Sequence, residues 1–230
     1  MMNNLPEPNV YEREFEFMPW GRLIKRVAEI VVKKAPHEGR ILDLMCGPGY
    51  LLGKIAEKRP DLKASGVDID RRFIGYAKAK YQNIKFIEAD ALEWETSEKY
   101  DLIICTAGLH HLPYKNQYSF VKKVKSMLKS GGLCIFADPL IDDFKNERER
   151  RASAARLGLE YLTATIKNGA PDEVTEAAID IMRNDVMGAE YKTSLVKIKK
   201  IILGSFSRLK IIKTWPNVKS EYGDYILIAR

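Results

Sequence analysis

The chain has 230 residues, of which 46% are hydrophobic and 30% are charged. That is enough apolar material for one domain with a buried core, and it excludes a fibrous or disordered protein. With no apolar run near the roughly 20 residues of a bilayer crossing and no signal-peptide pattern at the N-terminus, we expect a soluble, cytoplasmic protein. Cys46, Cys105 and Cys134 are an odd number of cysteines and lack metal-ligand spacing. We therefore expect them to be reduced thiols.

Predicted helices and strands alternate along the chain up to residue 138. Hydrophobic periodicity predicts helices over residues 20–34, 50–59, 71–81 and 118–128. It predicts buried strands over residues 40–44, 64–67, 84–87, 102–105 and 133–137. This alternation is typical of βαβ units on a parallel sheet with helices on both faces.

The pattern changes after Pro139. Residues 141–189 are mostly helical by composition and have no strands of their own, so we expect an inserted helical cap over the strand ends. A helix over 194–203 precedes two extended runs, 208–215 and 225–229, whose short connection predicts an antiparallel pair. The aromatic-rich residues ahead of the first helix belong to a predicted helical lid over 1–35.

The predicted fold class is therefore α/β. We expect a Rossmann-like, doubly wound sheet of seven strands, mostly parallel with an antiparallel last strand, and a helical cap inserted after the fifth strand. No Pro/Gly/Ser-rich linker divides the chain, so residues 1–230 are predicted to form a single domain.

Three successive strand ends carry polar or glycine-rich strings. After the first strand, Gly47 and Gly49 allow the backbone to approach a ligand closely, and the next helix turns its free N–H groups to the same point. The second strand ends at Asp68, which suits a ribose diol, and Asp90 follows the third, where it suits an exocyclic amine. Ligands bind at this edge of open parallel sheets, so the strings predict a site for a nucleoside-containing cofactor.

The first loop is not a phosphate-binding loop. Leu52 stands where a dinucleotide fingerprint has its third glycine, and no Walker-type lysine follows the glycines. A dinucleotide or nucleoside triphosphate is therefore disfavoured as the ligand.

The strings LDLMCGPG, GVDID, ADA and YDLIICTAGLHHL resemble the motifs of class I S-adenosylmethionine-dependent methyltransferases, and among these the small-molecule group. The resemblance covers residues 40–138 and extends to the hairpin at 205–230. It implies S-adenosyl-L-methionine as the cofactor and S-adenosyl-L-homocysteine as its product. By this resemblance, Asp43, Gly47 and Gly49 would hold the methionine part of the cofactor, and Asp68 would bind the ribose. Ile69, Asp90 and Ala91 would contact the adenine. Thr106 would line the floor of the site near the sulfonium.

His110 and His111, just past the fourth predicted strand, are the candidate catalytic residues, with His110 preferred to His111. An imidazole titrates near neutral pH and can take a proton from a methyl acceptor. The alternative is that His111 orients the loop and His110 is its neighbour at the surface. His37 lies in a helix-to-strand connection, and because the three histidines look scattered along the chain, no metal site is predicted.

Candidate substrate-binding residues come from the lid and the cap. Tyr11 and Arg13 of the lid are expected to reach inward, or to pack on the sheet edge instead. Arg148 of the cap could present a guanidinium to an anionic substrate, although its charge run is also typical of a solvated face. Tyr161 could line an acceptor pocket or pack in the core.

Two activities and one inactive role fit these observations. The first is methyl transfer to a small molecule enclosed by the cap and the lid. The second is methylation of RNA or protein through a basic surface at residues 192–219, a span without Asp or Glu in a chain of net charge +7. The third is a regulatory protein that binds the cofactor without catalysis, which the intact set of cofactor residues disfavours.

Overall fold

The computed structural model describes residues 7–188 and 190–230, and these contain a sheet of seven strands in the order β3-β2-β1-β4-β5-β7-β6. The strands are β1 (Arg40–Leu44), β2 (Lys63–Asp68), β3 (Lys85–Glu88), β4 (Tyr100–Thr106), β5 (Leu128–Leu140), β6 (Leu209–Trp215) and β7 (Gly223–Ala229). Strands β1 to β5 pair in parallel, and β7 pairs antiparallel with both β5 and β6. The predicted fold class, including the antiparallel last strand, is confirmed.

Helices cover both faces of the sheet. They are α1 (Pro8–Phe17), α2 (Trp20–Lys34), α3 (Tyr50–Lys58), α4 (Arg71–Lys80), α5 (Tyr114–Met127), α6 (Glu147–Lys167), α7 (Asp172–Met187) and α8 (Leu195–Leu203). One hydrophobic core joins α2, α3 and α4 to the sheet, and the other joins α5 and α8 to its opposite face. None of the helices in the described part of the chain is both long and apolar enough to cross a bilayer.

Local sequence explains where several helices begin. Asp70 caps α4 by accepting a hydrogen bond from the Arg72 N–H at 2.8 Å. Asn146 caps α6 in the same way, with the Glu149 N–H as donor at 3.0 Å. Such caps satisfy backbone donors that the helix leaves free and stabilise it by about 1 kcal/mol each.

Two elements differ in extent from the sequence prediction. Helix α5 begins at Tyr114 instead of residue 118, directly after Pro113, whose fixed φ suits a helix start. Strand β5 runs over Leu128–Leu140 instead of 133–137, because β4 pairs with it from Leu128 and β7 pairs with it as far as Leu140. The periodicity of an isolated segment does not reveal such pairing partners.

The predicted lid contains α1 and α2, and the predicted cap contains α6 and α7. Residues 1–6 of the lid and residue 189 of the cap lie outside the described residues. Helix α6 is tied to the sheet because the Tyr161 hydroxyl donates to the carboxylate of Asp224 at the start of β7. It is tied to α7 because Arg150 donates to the carbonyl oxygen of Asp185 at 2.7 Å. The helical pair therefore covers the carboxyl end of the sheet next to β5 and β7.

Candidate functional site

The loop between β1 and α3 forms a cradle at the carboxyl end of the sheet. Gly47 has φ +53° and donates its N–H to Asp68 Oδ2 at 2.8 Å. Gly49 has φ +83°, and a side chain there would lie 2.7 Å from the ring of Phe86. Both positions therefore need glycine, and the loop keeps its backbone open towards the strand ends.

The carboxylates around this cradle are buried. Asp43 is 2% exposed and its Oδ1 has no hydrogen-bond partner among the described residues. Asp68 accepts the N–H groups of Gly47 and Asp70, each at 2.8 Å. Burial, followed by the charge of Asp68, raises the pKa of Asp43 well above its ordinary value, and burial also raises that of Asp68. These groups are hydrogen-bond acceptors that gain from a ligand carrying donors.

Thr106 completes the floor of the cradle at the end of β4. Its hydroxyl is buried and without a partner within the described ranges, like Asp43 Oδ1. The ammonium and ribose hydroxyls of S-adenosylmethionine are donors of the kind that these oxygens lack. The residues therefore fit the cofactor that the resemblance implies.

The expected adenine end is open to solvent. Ile69 is 69% exposed, as expected of a residue that a planar ring could cover. Asp90 is partly buried, its Oδ1 accepts the Leu92 N–H at 2.8 Å, and Ala91 beside it is buried. The structure brings these predicted residues to one edge, and their roles stay predictions.

Helix α1 fills the other end of the cradle. Between α1 and the glycine loop lies a cavity of about 30 Å³, lined by the aromatic rings of Tyr11, Phe15 and Trp20 and by Asp43. That volume holds no more than one or two water molecules. A Cβ at Gly47 would lie 3.6 Å from the Tyr11 ring. Tyr11 therefore lies in the expected cofactor cradle, and a cofactor bound there requires α1 to shift.

Two predicted substrate residues point away from the cradle. Arg13 pairs with Glu173 of α7 and its side chain is 46% exposed, so the expectation that it reaches inward is wrong. Arg148 is exposed on α6, as the solvated reading of its charge run predicted. The buried guanidinium is that of Arg150, which sequence reasoning missed because both arginines lie in the same charge run.

Both candidate catalytic histidines bond to carboxylates. His110 Nδ1 contacts Asp138, and His111 Nδ1 lies 2.7 Å from Glu190 Oε2. Burial lowers the pKa of His110 well below its ordinary value and raises that of Asp138 to about 7. His110 is therefore a buried neutral imidazole, and the expectation that it lies at the surface is wrong.

The expectation that the histidines are scattered is also corrected. Ligand atoms of His110, His111 and Glu190 lie within 4.8 Å of one another, the one such group among residues 7–188 and 190–230. Each Nδ1 already pairs with a carboxylate. The positive charge of Lys192 also lowers the pKa of the Glu190 carboxyl. This arrangement suits hydrogen-bonded pairs better than an ion, and the absence of a metal site stays a prediction.

Tyr161 belongs to the buried polar network below the cap. It is 8% exposed, and its hydroxyl donates to Asp224, whose second oxygen has no partner in the described chain. Burial raises the pKa of Asp224 to about 7. Tyr161 therefore fixes the cap to the sheet, beside the strand ends where an acceptor would bind.

The predicted basic surface loses its first member. Lys192 is 3% exposed and pairs with Asp185 of α7, so it belongs to the interior of the site. Lys197 pairs with Asp143, and Lys213 donates to Ser220. The exposed cations that remain in the span are Lys199, Lys200, Arg208, Lys210 and Lys219.

Comparison with known proteins agrees with this geometry. Residues 41–132, which contain the glycine loop and the ends of β1 to β4, match the family model of a methyltransferase domain. The matched region agrees with the methyltransferase family, the enzyme class and the cofactor, S-adenosylmethionine, that the sequence analysis predicted.

Curated relatives match the same part of the chain. It is 33% identical over 99 residues to malonyl-[acyl-carrier protein] O-methyltransferase of Acetivibrio thermocellus, covering 42% of this chain and 34% of that protein. It is 30% identical over 93 residues to trans-aconitate 2-methyltransferase of Escherichia coli, covering 40% and 36%. The matches span about a third of the relatives' lengths.

Solved structures share the fold over most of the chain. The plantazolicin methyltransferase BpumL, in complex with S-adenosylhomocysteine, has a TM-score of 0.64 at 16% identity and covers 96% of this chain and 87% of its own. The N-methyltransferase NodS from Bradyrhizobium japonicum, also in complex with S-adenosylhomocysteine, has a TM-score of 0.58 at 16% identity, covering 90% and 83%. At these identities the likeness is one of fold.

Proposed function

We propose that this protein transfers a methyl group from S-adenosylmethionine to a small-molecule acceptor. The observation that carries the proposal is the enclosure of the site. Helices α6 and α7 cover the strand ends through the bonds of Tyr161 and Arg150, and α1 covers the glycine loop. A space closed on these sides suits a small acceptor better than a long polymer.

The bound cofactor supplies an activated methyl group on a sulfonium. Asp43, Gly47, Gly49 and Asp68 would hold its methionine and ribose parts. The chain's own contribution is alignment and the exclusion of water by α1 and the cap. Near-attack positioning of this kind supplies roughly 7–11 kcal/mol in well-oriented reactions.

The polar atoms left over near the cap favour an acceptor that carries hydrogen-bond donors. Asp138 Oδ2 and Asp224 Oδ2 are buried and have no partner among the described residues. The two buried cations in the described part of the chain, Arg150 and Lys192, are already paired with Glu147 and Asp185. We therefore propose a hydroxyl- or amine-bearing acceptor, since a carboxylate would compete with those existing pairs.

The test is a screen for release of S-adenosylhomocysteine from S-adenosylmethionine. It includes small alcohols, phenols and amines, the acceptors for which the two relatives are named, and a bulk RNA preparation. Turnover with a small hydroxyl or amine compound supports the proposal, and turnover with RNA alone, falling steeply with salt, overturns it in favour of the basic surface at 192–219. A cytoplasmic location and a single domain over 1–230 stay predictions.

A further inference from the structure

Glu190 connects the cap to the end of β4. It lies in the segment that follows α7, is 8% exposed, and its Oε2 is 2.7 Å from His111 Nδ1. The neighbouring backbone is fixed, because the Tyr191 N–H donates to the carbonyl oxygen of His110 at 2.7 Å. Gln117 Nε2 in turn donates to the carbonyl oxygen of Tyr191 at 3.1 Å. The carboxylate is therefore held in place against the imidazole.

The charges around Glu190 favour its ionised form. Burial acts to raise its pKa, but the hydrogen bond from His111 and the positive charge of Lys192 lower it below the ordinary value. An ionised carboxylate accepts hydrogen bonds only, so the proton in this contact belongs to His111 Nδ1. The opposite nitrogen, Nε2, is then the one with a free lone pair.

Exposure and position separate the two histidines. The side chain of His111 is 29% exposed and that of His110 is 9% exposed. His111 lies just past the end of β4, where a Cβ on Gly108 would lie 2.8 Å from Met45 Sδ in the glycine loop. Its Nδ1 contacts Glu190, in the segment that follows α7. His111 is thus the more exposed histidine, and it joins the strand end beside the glycine loop to the segment after the cap.

We propose that Glu190 is the positioning residue that holds His111 as the general base for the methyl acceptor. The inference rests on the proposed function and deepens it, because it selects acceptors that lose a proton when they react. The step is a proton transfer. The X–H bond of the acceptor breaks, its proton goes to His111 Nε2, and its electron pair stays on X as the nucleophile. The resulting imidazolium faces the carboxylate of Glu190.

The segment that follows α7 therefore has a role of its own beside the enclosure that the cap provides. It supplies the carboxylate that sets the tautomer of the base, 79 residues away in sequence. Loss of this contact would leave His111 present but unoriented. A carboxylate with this role is a positioning residue, since the contact that it makes is to the imidazole and not to the reacting atoms.

The test reads the tautomer of His111 by long-range ¹H–¹⁵N NMR in the protein with S-adenosylhomocysteine added. The chain has three histidines, so three imidazole patterns are expected, and His37→Gln and His110→Gln assign them. We expect the Nδ1–H form of His111 to predominate roughly tenfold or more, as a charge-assisted hydrogen bond dictates. Glu190→Gln, whose amide can also donate, should abolish that preference, and Glu190→Asp should restore part of it.

Glu176→Gln is the matched control, because Glu176 is an exposed glutamate on α7, the helix that precedes Glu190. It should leave the His111 pattern unchanged. A predominant Nε2–H form in the unmodified protein would overturn the proposal, even if Glu190→Gln does not fold. An unchanged pattern in a folded Glu190→Gln variant would also overturn it. Calorimetry with S-adenosylhomocysteine in the same samples judges the proposed function separately, since the tautomer is read whether or not the ligand binds.

Discussion

Glu14 is a buried carboxyl on α1, the helix that covers the cofactor cradle. It is 1% exposed, and its Oε2 has no hydrogen-bond partner within the described part of the chain. Burial raises its pKa from 4.5 to about 8. Replacement by glutamine keeps the shape of the side chain and removes the charge that burial disfavours.

The sign of the effect follows from proton binding. A group whose pKa is raised in the folded state stabilises it below the unfolded pKa, and this stabilisation is lost as the pH rises through the folded pKa. For values of 4.5 and about 8, the unmodified protein loses stability from this residue between about pH 4 and pH 8. The loss reaches on the order of 3 kcal/mol in the free energy of unfolding by neutral pH, at about 1.4 kcal/mol per unit. Glu14→Gln does not undergo it.

Urea unfolding of both proteins at pH 4.5, 7 and 8.5 measures the effect. The difference between them cancels the contributions of Asp138 and Asp224, whose raised pKa values both proteins share. We expect the advantage of Glu14→Gln to grow by about 3 kcal/mol from pH 4.5 to neutrality. Glu16→Gln, on the exposed side of the same helix, should show no such growth. A difference in the free energy of unfolding that stays constant with pH would refute the burial of the Glu14 carboxyl in the folded protein.

Three further predictions concern the site. Asp68→Asn should weaken S-adenosylhomocysteine binding at least tenfold in calorimetry, because it alters the carboxylate that accepts hydrogen bonds from both the glycine loop and the ribose. An affinity equal to that of the Glu176→Gln control would remove Asp68 from the site. Tyr11→Ala should speed association of the same ligand several-fold in stopped-flow fluorescence, because it empties the cradle; a rate at or below that of the unmodified protein would contradict the placement of α1. Tyr161→Phe should lower the free energy of unfolding by about 1–3 kcal/mol, because it leaves Asp224 without its donor; equal stability in urea would show that the bond contributes nothing.

The placement of the cradle residues was predictable because its signals are local. Each predicted residue follows a strand end within a few residues, and parallel strands bring their carboxyl ends to one edge of the sheet. Gly47, Asp68 and Asp90 were predicted to share this edge, and the first two are hydrogen bonded to each other. Their contacts to a cofactor stay predictions. The extents of β1 and α2 were also predicted correctly, since an apolar run or stripe of fixed period defines each.

The acceptor side was not predictable, because its contacts join distant segments. Glu190 meets His111 only after α6 and α7 have folded back over the sheet, and nothing near either residue in sequence indicates the pairing. Lys192 looked like a surface cation because lysines usually are, and the carboxylate of Asp185 that compensates its burial lies on another element. The inward turn of Tyr11 likewise depends on how α1 packs on the glycine loop.

The central claim is that the strand-end cradle binds S-adenosylmethionine. Calorimetric titration of the purified protein with S-adenosylmethionine and S-adenosylhomocysteine, with NAD as the control ligand, tests it most directly. We expect one site with micromolar affinity for the first two ligands and no heat with NAD. Binding of NAD, or no binding of S-adenosylhomocysteine by either the folded protein or Tyr11→Ala, would contradict it.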